Sequence, residues 1–135
     1  MQSKPKLMMA TVYLRSQSGL SLLHELKAAP VDPRPYSPSS ETIEKATFEL
    51  QRLGFKIEAQ GITLSISGSP DLFEQICGVK ISVEEKMVYE PGKANYRKQL
   101  LYTSSQPIMH IRGTDEIIEG IMIATPGILF EGNKS

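Results

Sequence analysis

His24, His110, Cys77 and a scatter of serines and carboxylates are the side chains from which this 135-residue chain would have to build a reaction centre. Neither histidine stands at a metal-ligand spacing from the other, from the cysteine or from a paired carboxylate. Both are read as surface or packing residues. Cys77 is the only cysteine, so an internal disulfide and any multi-cysteine metal site are excluded. Its place on the apolar stripe of a short helix makes it a packed thiol rather than a nucleophile. No serine lies in a nucleophile elbow, and no glycine-rich loop offers a phosphate cradle. The residues therefore hold no catalytic constellation, no metal site and no cofactor site. Lysine plus arginine and aspartate plus glutamate number fifteen each, which removes counterion-driven binding to nucleic acid or to an anionic membrane.

The elements that would carry a binding surface are legible from Ser37 to Ile81. Ser37 as cap and Pro38 at the first helical position predict a helix that Gly54 ends. Ile43, Ala46, Leu50 and Leu53 share its apolar face. Phe55, Ile57 and Ala59 alternate with polar residues, Gly61 permits a reversal, and Ile62, Leu64 and Ile66 alternate with Thr63, Ser65 and Ser67. This is a hairpin with one apolar face. Ser69 and Pro70 start a second helix, with Leu72, Phe73, Ile76 and Cys77 on its buried stripe and Gly78 at its end. Val79, Ile81 and Val83 then begin a strand.

Before this stretch, Leu7 to Leu14 is apolar on both alternating faces, as in a strand from the middle of a sheet. Leu20 to Leu26 supports a short helix, and the proline-rich run from Pro30 to Pro38 a stiff connection. After it, Val79 to Glu90 and Tyr96 to Thr103 form a long hairpin around Pro91-Gly92. Thr114 caps a short helix over DEIIEG, and Ile121 to Thr125 leads to a tail. The whole order is α+β, a ferredoxin-like βαββαβ antiparallel sandwich with its helices on one face, an extra C-terminal hairpin and a short helix. A single domain over residues 1–125 and a tail over 126–135 are expected. A chain of this length buries roughly 68% of the surface its unfolded form exposes, so no disulfide or metal staple is required. The apolar start is too short for a membrane span and poor as a signal peptide, which makes a cytoplasmic location the expectation. The Met start and the polar end favour a complete product as the expectation, the alternative being the detached front part of a longer proenzyme.

PSSETIEKATFELQRLGF followed by GITLSISGSPDLFEQICGVKI resembles the activation prodomain of sedolisin- or kumamolisin-type serine-carboxyl peptidases. The resemblance rests on Pro38, Leu50, Gly54, Phe55, Leu64, Ile66, Gly68, Phe73, Gly78 and Val79. Asp32, Pro33 and Tyr36 are candidate counterparts of a family aspartate-proline and tyrosine. The connection here is shorter than the family's, and Arg112-Gly113 stands where the family has a proline before its last helix.

The resemblance implies a stand-alone propeptide-like protein that binds a sedolisin- or subtilisin-like serine protease in trans, inhibiting it or assisting its folding. The peptidase itself is absent from the chain. Thr125, Pro126, Gly127, Ile128, Leu129 and Phe130 would lie extended in the protease cleft, with the three apolar side chains in pockets and Pro126 opposing cleavage of the Thr125–Pro126 bond. Read as residues alone, the same segment more readily pairs with the sheet or covers its edge. Thr63, Ser65 and Ser67 would form a flat sheet face able to dock against the partner's helices, or remain solvated. The second reading is a ferredoxin-like protein-binding or self-association module with no protease partner.

Overall fold

The structure, a computed structural model, describes residues 7–23, 34–90, 92 and 95–124. Over these residues it is an α+β fold with two helices and two antiparallel sheets. The central strand β1, Met8–Leu14, carries its apolar residues in strict alternation: Met8, Ala10, Val12 and Leu14 are buried, while Met9 is exposed. The strand lies in the interior of its sheet, as expected, with one face buried and the other partly exposed.

After a 3-10 turn at Arg34–Tyr36, helix α1 spans Ser40–Leu53. Its cap is Ser39, whose Oγ accepts the Thr42 N–H at 3.1 Å, and not Ser37 as expected. The reason lies in the backbone of Ser37, whose N–H donates to the Arg34 carbonyl and whose carbonyl accepts from the Gln17 N–H. Ser37 is thereby held in the connection, and the helix starts one serine later. Gly54 ends α1 at φ 110°, a left-handed conformation that costs a glycine little.

Strands β2 (Lys56–Gln60) and β3 (Thr63–Gly68) form the expected hairpin, and α2 (Pro70–Cys77) starts on the expected Ser69 cap and ends at Gly78. Phe55 and Phe73 meet with ring centroids 4.8 Å apart at the point where β2 and α2 approach. The long hairpin follows as β4 (Ile81–Glu90) and β5 (Asn95–Ser104), and the last described element is β6, Ile118–Ile123.

Two expectations fail at this end of the chain. The strand beginning near Val79 does not join the first sheet, because β4 and β5 make a two-stranded sheet of their own. The helix expected over Asp115–Gly120 is a single turn, in which Ile117 and Ile118 donate their N–H groups to the Thr114 carbonyl, followed directly by β6. Six residues give a helix too few internal hydrogen bonds to compete with a full row of pairing to β1. The four-stranded sheet accordingly runs β2-β3-β1-β6, antiparallel throughout. Of the helix expected over Leu20–Leu26, residues 20–22 are not helical and residues 24–26 lie outside the described residues.

Both helices lie on one face of that sheet. Leu64 pairs with Val12 and Val12 with Ile121, and Ile66 pairs with Ala10, so these side chains share a face. They are buried together with Ala46 and Leu50 of α1 and Phe73 of α2.

Candidate docking surface

The opposite face of the four-stranded sheet is built by the alternate residues of the same strands. Ala59, Ser65, Thr11 and Met122 form one row across all four strands, and Thr63, Tyr13 and Gly120 form the next. Met9 and Ser67 pair in a third row. The face therefore has a small polar centre flanked by a phenol and two thioethers. Thr11, Tyr13, Thr63, Ser65 and Met122 are all half-buried, and burial pushes the Tyr13 phenol above its ordinary value. Nothing here moves a proton near neutral pH; what such a face offers is packing and short hydrogen bonds.

One end of the face is closed. Arg15 donates from Nε to the Asp115 carbonyl at 2.9 Å and pairs with Glu119 at 3.3 Å, while Ser21 Oγ donates to Glu119 Oε1 at 3.0 Å. These contacts hold the segment after β1 against the start of β6 and seat Leu23 over Gly120. A Cβ at Gly120 would stand 2.6 Å from Ile108 Cγ2 and 2.9 Å from Leu23 Cδ2, so glycine is what lets this cover lie flat on the strand. The sheet edge beside β6 is also occupied, because Met109 exchanges both backbone hydrogen bonds with Ile121, at 2.7 and 2.8 Å.

Of the three docking residues expected from sequence, Thr63 and Ser65 lie on this open face, half-buried. Ser67 lies there too but does not reach the surface: it is buried and donates from Oγ to Glu58 Oε2 at 2.6 Å. Thr11, Tyr13 and Met122 complete the face. Their alternation was visible in the sequence, but only the strand order shows that β1 and β6 stand beside Ser65. The tail residues Thr125, Pro126, Gly127, Ile128, Leu129 and Phe130 lie outside the described residues.

A second concavity brings Cys77 near His110 and Asp115, three residue types that elsewhere make a nucleophilic site. Burial pushes the Cys77 thiol up to about 11, so it stays protonated and is not an activated nucleophile. No group of three metal-ligating side chains occurs among the described residues. Among them, too, no helix is long and apolar enough to cross a membrane.

The fold and this surface define an α+β protein with an open, small-residue sheet face. No family model, no curated protein and no solved structure matches the chain.

Proposed function

We propose that this chain is a propeptide-like binding protein on a ferredoxin-like frame, which occupies and inhibits a sedolisin- or subtilisin-like serine protease in trans and assists its folding. It acts by binding and not by catalysis, and a cytoplasmic location belongs to the same reading. The observation that carries it is the sheet order β2-β3-β1-β6 with both helices on one face, which, among the described residues, leaves the row Ala59, Ser65, Thr11 and Met122 without a helix over it. That order supports the ferredoxin-like frame when the β4–β5 hairpin is read as an insertion between α2 and the last strand.

A preformed sheet face fixes the orientation of the partner before any flexible segment is engaged. Residues 125–130 follow the end of β6, so in this reading they meet the protease cleft at the high effective concentration that a short tether gives. The test is inhibition of purified sedolisin-type and subtilisin-type proteases by the full chain, by a Ser65→Arg variant and by a chain lacking residues 126–135. Stoichiometric inhibition is expected from the full chain. Ser65→Arg should weaken it at unchanged melting temperature, and the truncation should weaken it about 100-fold. Failure of the full chain against both protease classes would sink the proposal, and undiminished inhibition by the truncated chain would remove the tail from it.

A further inference from the structure

Among the described residues the β4–β5 hairpin carries the largest concentration of exposed apolar side chains. Its register places Ile81, Val83, Glu85, Met87 and Tyr89 on one face, beside Ser104, Tyr102, Leu100, Lys98 and Tyr96 respectively. At the base, Ile81 and Tyr102 pack against the core, and Glu74 of α2 accepts the Ile81 N–H at 2.8 Å. Farther out, Val83, Met87, Tyr89 and Tyr96 are 54, 61, 50 and 61% exposed. These are four of the eight large apolar side chains left exposed among the described residues, and all four lie on this face. Tyr89 and Tyr96 also touch each other edge to face, with centroids 5.1 Å apart. A two-stranded ribbon is marginal in water on its own, and a contiguous apolar patch on one marks an interaction surface.

What would cover the face is indicated by its charges and by the groove beside it. Glu85 and Lys98 are the only charged residues on this face, on opposite strands and on adjacent rungs, and neither is ion-paired among the described residues. At the base, Tyr102 lines an open groove of about 400 Å³ together with Leu101, Pro107, Met122 and Ile123. The hairpin thus offers an aromatic tip, a single pair of opposite charges at mid-length, and an apolar groove at its root.

We propose that this face pairs with a second copy of itself about a two-fold axis crossing the hairpin between the Glu85–Leu100 and Met87–Lys98 rungs, with the two hairpins antiparallel. A two-fold interface must be self-complementary. This axis sets Glu85 level with Lys98 of the second copy, and the reciprocal pair with it. It also lays the Tyr89–Tyr96 rung over the Val83–Tyr102 rung, which delivers each aromatic tip to the other copy's groove. Moving the axis onto the Glu85 rung sets glutamate against glutamate, and moving it onto the Lys98 rung sets lysine against lysine, so the charges select one register. Ten residues at about 3.4 Å each and a width of about 10 Å give a footprint of roughly 340 Å² per copy, well under the ~800 Å² of a standard interface. The pairing is accordingly weak, with a dissociation constant on the order of 100 µM. It is independent of the protease reading, and either survives the failure of the other.

The experiment is sedimentation velocity on the full chain from about 5 µM to about 1 mM, concentrations that bracket such a constant. The wild type should shift from monomer to dimer. Glu85→Lys and Lys98→Glu should each weaken the dimer at least ~10-fold, because each places like charges at two symmetric positions. The double reversal Glu85→Lys with Lys98→Glu should restore it to within about threefold. Tyr89→Ser with Tyr96→Ser should abolish it, with circular dichroism confirming that the fold is kept. A monomer at every concentration overturns the proposal. So does a dimer indifferent to the single reversals, a double reversal that fails to restore it, or growth into species larger than a dimer, which would mean open-edge strand pairing.

Discussion

Gly120→Ala tests the account of how the sheet is closed at β6. The added methyl would stand 2.6 Å from Ile108 Cγ2 and 2.9 Å from Leu23 Cδ2. Carbon atoms in contact prefer about 3.5–4.0 Å, so each neighbour must retreat by roughly 1 Å. Ile108 is poorly placed to do so. It is β-branched and stiff about χ1, and it precedes Met109, whose backbone is tied to Ile121 by hydrogen bonds of 2.7 and 2.8 Å. Overpacking of this kind costs about 1–3 kcal/mol. Gly120 is not among the residues with positive φ, so alanine also removes unfolded-chain freedom and returns about 0.4–1 kcal/mol. The net expectation is a loss of about 1–2 kcal/mol, or about 4–8 °C in melting temperature for a chain of this size. Urea unfolding and calorimetry measure it directly. Gly61→Ala is the control, since a Cβ there meets only the Thr63 carbonyl oxygen, at 3.9 Å, and it should leave stability nearly unchanged. Ile108→Ala removes the obstructing Cγ2 and should make Gly120→Ala less costly in a double-mutant cycle. A melting temperature unchanged or raised by Gly120→Ala, or a cycle without coupling, would refute the close approach of Ile108 and Leu23 to the strand.

Two further outcomes follow from local chemistry. Ser39→Ala removes the acceptor for the Thr42 N–H and should cost about 1 kcal/mol by urea unfolding, whereas Ser37→Ala should cost much less; the reverse order would restore Ser37 as the cap. Cys77 titrates upward from an ordinary 9.0 to about 11 because burial disfavours the thiolate. Between those values the folded protein keeps a proton that the unfolded chain has released, so stability should fall as pH rises through that window. Alkylation by iodoacetamide should be slow at pH 7.5 and become fast near pH 11 or in denaturant; a reactivity midpoint near 8.5 in the folded protein would contradict the packing described.

The parts of this structure that were legible in the sequence are those decided within a few residues. Ser69, Pro70 and Gly78 bound α2 because capping and the left-handed stop act locally. Gly54 likewise stops α1, and the alternation around Gly61 gives the β2–β3 hairpin and puts Thr63 and Ser65 on the face away from the helices. What the sequence did not decide was partner choice. Val79 to Val83 and Ile118 to Ile123 are both apolar enough to stand beside β1, and DEIIEG has a helix's cap and a strand's apolar residues at once. Pairing of Thr11 with Met122 settles it, and that contact joins opposite ends of the chain. The two-residue error at the start of α1 has the same character, because the bond from Gln17 that holds Ser37 comes from another part of the chain. Half of the candidate surface was hidden for this reason: Thr11, Tyr13 and Met122 are unremarkable until the strand order sets them next to Ser65. Ser67, which shares the alternation of Ser65, is withdrawn from the surface by the carboxylate of Glu58, in the middle of the neighbouring strand, a contact no alternation reveals.

The central strand is also the first one made. Ala10 pairs on one side with Ile66 and on the other with Ile123. A ribosome adding about 5–20 residues per second exposes Ala10 for roughly 3–11 s before Ile66 has been polymerised, and for roughly 6–23 s before Ile123 follows. Through that interval the most apolar strand of the sheet has two open edges, and the hairpin of β2 and β3 can close only one of them. Completion of the sheet waits on nearly the last described residues, and slow refolding limited by the docking of β6 is the expected kinetic signature.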